Sequence, residues 1–144
     1  MIKVFLDTNI LIDYLAQRTN FYQNAARVVS ICGNSGFKLL VSSLSFATAS
    51  YILSERNKLS SETIKKLFNN FIVTAEITLV DSLIIRKSIS SKFEDFEDAM
   101  QYYSALREGA DAIITRNMVD FTSAKIDVYE PQEFLDMLMQ QSRK

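Results

Sequence analysis

The ten residues Ile2-Lys3-Val4-Phe5-Leu6-Asp7-Thr8-Asn9-Ile10-Leu11 decide how this chain is read. Ile2 to Leu6 is a short run of β-formers with Lys3 as its only polar interruption. Nothing in it alternates as a solvent-facing strand would, so it predicts a strand buried on both faces, as in a parallel sheet. The run stops abruptly at Asp7. Ile10, Leu11, Tyr14 and Leu15 then follow at helical spacing, predicting a helix over Asn9–Gln17.

The same alternation continues along the chain. Ala25, Val28, Val29 and Cys32 mark a helix over Phe21–Cys32, and Gly33-Asn34-Ser35-Gly36 stops it. Lys38–Val41 reads as a strand, and Ser42-Ser43 can cap a helix from Leu44 to about Asn57. Ser60-Ser61-Glu62 opens another helix, with Ile64, Leu67, Phe68, Phe71 and Ile72 on one face. Ile77–Val80 is a brief strand, and Asp81 caps a helix through about Ser90. Asp95 starts a longer helix that ends at Gly109. Ala110–Thr115 is a strand leading into Arg116-Asn117, and Met118–Ser123 a short helical turn. Lys125–Tyr129 is a last strand, and Pro131 begins a helix to about Gln140. Strands alternating with helices, with no linker or internal repeat, predict an α/β fold spanning residues 1–144 as a single domain. Its sheet should be mostly parallel, with helices on both faces.

Composition narrows the chemistry. With 144 residues, 48% of them apolar, the chain suits one packed core. Its apolar runs fall far short of the roughly 20 residues of a membrane span. An acid at position 7 comes too early for a signal peptide, so a soluble, cytoplasmic protein is expected. There is no histidine, which excludes a Ser-His-Asp triad and a His-bearing zinc site. Gly33, Gly36 and Gly109 are too scattered for a phosphate-cradling loop, and Cys32 is alone and expected in the core. Net charge is −1, so nucleic-acid binding would need a local basic patch. What remains for catalysis is carboxylates with a hard metal ion, a lysine, or nothing.

In open α/β sheets, ligands bind beyond the carboxyl ends of the strands. Asp7 directly follows the first strand, Asn117 and Asp120 follow the strand Ala110–Thr115, and Asp98 lies in the first turn of the Asp95 helix. Oxygen ligands gathered there would suit Mg²⁺ or Mn²⁺. Each also has a plainer explanation, since Asp7-Thr8-Asn9 can be a helix cap and Glu94-Asp95-Phe96-Glu97-Asp98 a capped helix start. Asp81, Asp111 and Asp136 are assigned no function. Phe96, Tyr102, Tyr103 and Leu106 read as helix packing, and Lys65-Lys66 and Arg86-Lys87 as solvated faces.

On those residues the chain resembles PIN-domain proteins, including the VapC-like ribonuclease toxins of bacterial toxin–antitoxin pairs. Val4-Phe5-Leu6-Asp7-Thr8-Asn9-Ile10-Leu11 looks like the family's first motif. Asp95-Phe96-Glu97-Asp98-Ala99-Met100-Gln101-Tyr102 looks like its third, in a subgroup favouring acid-Phe-x-Asp-Ala-x-Gln. Ile114-Thr115-Arg116-Asn117-Met118-Val119-Asp120-Phe121 looks like its fourth. The resemblance implies a three-layer α/β/α sandwich and a Mg²⁺- or Mn²⁺-dependent endoribonuclease acting on single-stranded RNA. It further implies a small antitoxin protein as partner and a homodimer. Asp7 and Asp98 would be metal ligands, completed by Asp120 or Asn117. Thr8 and Asn9 would hydrogen-bond Asp7 and fix its direction, and Arg116 would contact RNA phosphate.

One departure concerns the second motif, where the family usually carries a glutamate early in the helix after the second strand. Thr48 aligns there, and Glu55 lies about two turns on, roughly 10 Å along a helix axis. The subgroup includes members without this glutamate. A catalytically weak or inactive RNA- or protein-binding module on the same scaffold is therefore the alternative. An aspartyl-phosphate phosphatase is disfavoured because Asn9 stands where its second acid belongs. Ile52, Leu53, Phe68 and Phe71 are open to either a helical interface or the core.

Overall fold

The computed structural model describes residues 1–34, 36–121 and 125–142. Strand β1 (Ile2–Leu6) is followed by helices α1 (Thr8–Leu15) and α2 (Tyr22–Cys32), then β2 (Phe37–Ser42). Helices α3 (Ser43–Glu55) and α4 (Ser61–Phe71) lead to β3 (Ala75–Thr78), and α5 (Ser82–Ile89) to α6 (Phe96–Arg107). Strand β4 (Ala112–Ile114), a 3₁₀ turn (Met118–Phe121), β5 (Asp127–Tyr129) and α7 (Pro131–Ser142) complete the described order.

Among the described residues the five strands form one sheet in the order β3-β2-β1-β4-β5, every neighbouring pair parallel. Strand β1 is central because its three apolar residues Val4, Phe5 and Leu6 are fully buried and need cover on both faces. The two-residue period then sorts the core. Val4, Leu6, Leu39, Val41, Ala75 and Ile114 face one layer, with α1, α2, α3, α4 and α7 contributing to it. Phe5, Leu40 and Ile113 face the other, where Tyr102 and Ala105 of α6 cover them and α5 packs on α6. The result is a three-layer α/β/α sandwich. Among the described residues no helix is long and apolar enough to cross a membrane.

Caps agree with the sequence reading. Ser42, Ser60, Asp81 and Asp95 each accept a bond from an amide in the first turn of the helix they precede. Gly109 follows α6 with φ +73°, a left-handed conformation that glycine adopts without steric cost. The stop at Gly33–Gly36 holds as far as it is described; Ser35 lies outside the described residues, as does Ser123 at the end of the expected helical turn.

Some boundaries differ. Strand β3 begins at Ala75 rather than Ile77, because Leu39 of β2 pairs with Ala75, and it ends before Val80, whose amide donates to Ser43 Oγ. Strand β4 is shorter than Ala110–Thr115, since the Ala110 amide still donates to Ala105 O of α6. Leu53 and Phe71 are buried, with Ile52 and Phe68 packed against them, so these four belong to the core. Ile72, expected on the apolar face of α4, is exposed. Phe96 and Leu106 are also exposed, whereas Tyr102 and Tyr103 pack with Phe93 as expected of helix packing.

Candidate active site

The chain reaches β1 first, then moves outward through β2 and β3, and returns to lay β4 and β5 on the other side. The gap beyond the carboxyl ends of β1 and β4 is thus the point where the strand order reverses, the usual ligand crevice of such sheets. Asp7 and Thr115 are the residues that leave those two strands. The Asp7 amide donates to Ile114 O at 2.9 Å, so the pairing of β1 with β4 sets the two side chains together.

Asp7 is 2% exposed. Its Oδ1 accepts from Gln101 Nε2 at 2.9 Å and its Oδ2 from Thr115 Oγ1 at 2.8 Å. Thr115 Oγ1 in turn accepts the Asn117 amide at 3.0 Å. Burial pushes the Asp7 carboxyl above the ordinary aspartate range. Bonds from Thr115, Gln101 and the Thr8 amide pull the other way, and the charge of Glu97 adds to the rise. Among the described residues no lysine or arginine pairs with Asp7.

Gln101 holds this corner together. While its Nε2 serves Asp7, its Oε1 accepts the Thr8 amide at 2.8 Å and the Thr8 hydroxyl at 3.1 Å. Helix α6 is thereby tied to the β1–α1 junction. Asp98, buried, lies three residues before Gln101 and so shares its helix face. Its amide is capped by Asp95 Oδ1 at 2.9 Å, and its position in the first turn favours negative charge.

The orienting groups differ from those expected. Gln101 and Thr115 hold the Asp7 carboxylate, whereas the Thr8 hydroxyl lies against Ser45 Oγ (2.7 Å), Gln101 Oε1 and Glu97 Oε1 (3.4 Å). Asn9 is exposed. Thr48 is one turn beyond Ser45 on α3 and donates to Glu97 Oε1 at 3.1 Å. Gln101, Thr115 and Glu97 stand inside the motifs quoted above, but the sequence reading assigned no role to them or to Ser45. The signal available for the first was its three-residue spacing from Asp98.

Arg116 is engaged by Asp13, a fully buried acid. Its Nε and Nη2 donate to Asp13 Oδ2 at 2.7 Å and Oδ1 at 3.2 Å, and its guanidinium lies 3.9 Å above the Phe21 ring. Arg18 also pairs with Asp13, at 3.3 Å. A cleft of about 310 Å³ opens beside this cluster, but Asp7, Thr48, Glu97 and Asp98 do not line it. Asn117 is exposed next to Arg116. Asp120 falls in the 3₁₀ turn, and its side chain lies outside the described residues. Among the described residues no three acidic or thiol side chains form a group able to hold a metal ion. The acids set aside earlier have other bonds: Asp81 with Arg107, Asp111 with the Lys3 amide, and Asp136 with Gln132.

Comparison with known proteins follows the same lines. The chain is 30% identical over 140 residues to the ribonuclease VapC1 of Aquifex aeolicus (strain VF5), covering 93% of this chain and 94% of that protein. Its fold is similar to a toxin–antitoxin complex chain from Klebsiella pneumoniae, with TM-score 0.67, 19% identity, and 89% and 97% of the two chains covered. It is also similar to a chain of VapBC2 from Rickettsia felis bound to promoter DNA, with TM-score 0.63, 17% identity, and 90% and 98% covered. The PIN domain family model matches residues 3–119. The chain therefore belongs to the PIN-domain family, with VapC-like toxin ribonucleases among its homologues.

Proposed function

We propose that this protein is a metal-dependent endoribonuclease that hydrolyses phosphodiester bonds of single-stranded RNA, acting as the toxin of a toxin–antitoxin pair. The observation that carries this reading is Asp7 itself. It is a buried carboxylate at the reversal point of the sheet, held by two neutral donors, with no basic residue paired to it among those described. A buried acid in such surroundings suits a cation arriving from solvent. The donors are all oxygen, which fits Mg²⁺ or Mn²⁺. Asp7 and Asp98 would hold the ion, with Asp120 or Asn117 completing the set.

A divalent ion there would act as the Lewis acid for phosphodiester hydrolysis. The chain's own residues do the positioning. Gln101 and Thr115 fix the two oxygens of Asp7, and Gln101 also locks the Thr8 amide, so the carboxylate keeps one direction. Arg116 is the proposed phosphate contact; with Nε and Nη2 on Asp13, its Nη1 is the nitrogen for that bond. The similar Aquifex aeolicus ribonuclease supports the activity, and the toxin–antitoxin complexes support a small antitoxin partner. A cytoplasmic homodimer belongs to the same reading.

The second reading, a weak or inactive RNA- or protein-binding module, draws on Thr48 and on the lack of a three-acid group among the described residues. Cleavage of a mixed single-stranded RNA pool with Mg²⁺, Mn²⁺ or EDTA separates the two. Metal-dependent cleavage that disappears in Asp7→Asn and Asp98→Asn is expected. Full activity in both variants would refute the assignment, and RNA binding indifferent to EDTA without cleavage would favour the module.

A further inference from the structure

Glu97 stands at the meeting point of three elements. Its Oε1 accepts from Thr48 of α3 at 3.1 Å and lies 3.4 Å from the Thr8 hydroxyl of α1, whose single hydrogen it shares with Gln101 Oε1, while its own backbone belongs to the first turn of α6. It is half-buried, and among the described residues no lysine or arginine pairs with it. The same Thr8 contacts Gln101, which holds Asp7, so the Glu97 carboxylate stands at the corner where Asp7 lies.

We propose that Glu97 is a positioning residue for the divalent ion, supplying from α6 the negative charge that Thr48 leaves absent on α3. This rests on the nuclease reading above. Glu97 need not touch the ion: Mg²⁺ keeps several waters, and a carboxylate can hold one of them. Thr48 and Thr8 give the carboxylate its direction, as outer partners do for metal-binding groups. Thr48 thus takes a role that suits a hydroxyl, since only a donor can orient an acid that comes from the neighbouring helix.

The test is Mn²⁺ binding, followed by the electron paramagnetic resonance of the free ion, with folding checked by circular dichroism. Glu97→Gln keeps an acceptor oxygen for both threonines and removes only the charge. It should weaken Mn²⁺ binding by about tenfold or more. Adding Thr48→Glu to Glu97→Gln should recover most of that loss. Asp7→Asn, in parallel, should abolish binding. Glu97→Gln binding Mn²⁺ as tightly as the wild type, with Asp7→Asn inactive in binding, would overturn the role of Glu97 and leave the nuclease reading standing. A weakened Glu97→Gln that Thr48→Glu does not rescue would overturn charge replacement. Wild-type protein that binds no Mn²⁺, or Asp7→Asn that binds it normally, would overturn the nuclease reading and this inference with it.

Discussion

Replacing Asp7 by asparagine should abolish cleavage and, in metal-free protein, raise stability at neutral pH. The carboxyl is 2% exposed and has two neutral side-chain partners. Burial lifts its pKa in the folded chain above the ordinary value of 3.8. Between those two values the folded chain holds a proton that the unfolded chain has released. The stability this group contributes is therefore fully present below about pH 3.8, and is lost as pH rises through the folded pKa. Asparagine has the same shape. Its oxygen can accept from Gln101 and its amide can donate to Thr115 Oγ1, but the Thr115 hydroxyl loses the acceptor that Asp7 Oδ2 gives it, which takes back part of the gain.

The gain is on the order of 1–3 kcal/mol, the scale of an incompletely compensated buried polar group. At this chain length each kcal/mol moves the melting temperature by roughly 2–4 °C, so about 5 °C is expected. Urea unfolding in EDTA, followed by circular dichroism from pH 4.5 to 7.5, measures the difference. The gap between variant and wild type should widen as pH rises. Saturating Mn²⁺ should then narrow it, since only the wild type gains about 2.7 kcal/mol at a hundred times its Kd. A variant less stable than wild type at pH 7.5 without metal, or a gap that closes as pH rises, would refute the reasoning.

Asp13→Asn should destabilise the fold by roughly 2–4 kcal/mol in the same assay, because the carboxylate charge facing Arg18 and Arg116 is lost and an amide NH₂ cannot accept the bond that Asp13 Oδ2 takes from Arg116. Both guanidiniums are partly exposed, at 26% and 31%, so water takes up part of the loss and the full cost of a buried pair is not reached. Gln101→Ala leaves Asp7 Oδ1 and the Thr8 amide without this partner; Mg²⁺-dependent cleavage should fall by about tenfold or more while the circular dichroism spectrum is retained. Cys32 is buried, and desolvation pushes its thiol up to about 12. At pH 8 it should react with a disulfide reagent only after denaturation, and fast labelling of native protein would contradict its place in the core.

The sequence by itself determined the order of elements and the centre of the sheet. Val4-Phe5-Leu6 could be read as a doubly buried strand because burial on both faces leaves no alternation, and that pattern is local. Caps such as Asp81 and Asp95 were legible for the same reason: each acts on the first turn that follows it. The strand-end placement of Asp7 and the first-turn placement of Asp98 were local as well. What the tertiary structure decided was which side chains hold these acids. Gln101 reaches Asp7 across 94 residues, Thr115 across 108, and Arg116 reaches Asp13 across 103. Asp7 was expected to be steadied by its neighbours Thr8 and Asn9; the Thr8 amide does bond it, but neither neighbour supplies a side-chain partner. Its partners come instead from the adjacent parallel strand and from the helix packed over it. In a parallel sheet those neighbours are necessarily remote in sequence, since each strand is joined to the next by a crossover. Ile77 was misplaced at the start of β3 for a related reason, because the register of an edge strand is set by the strand beside it.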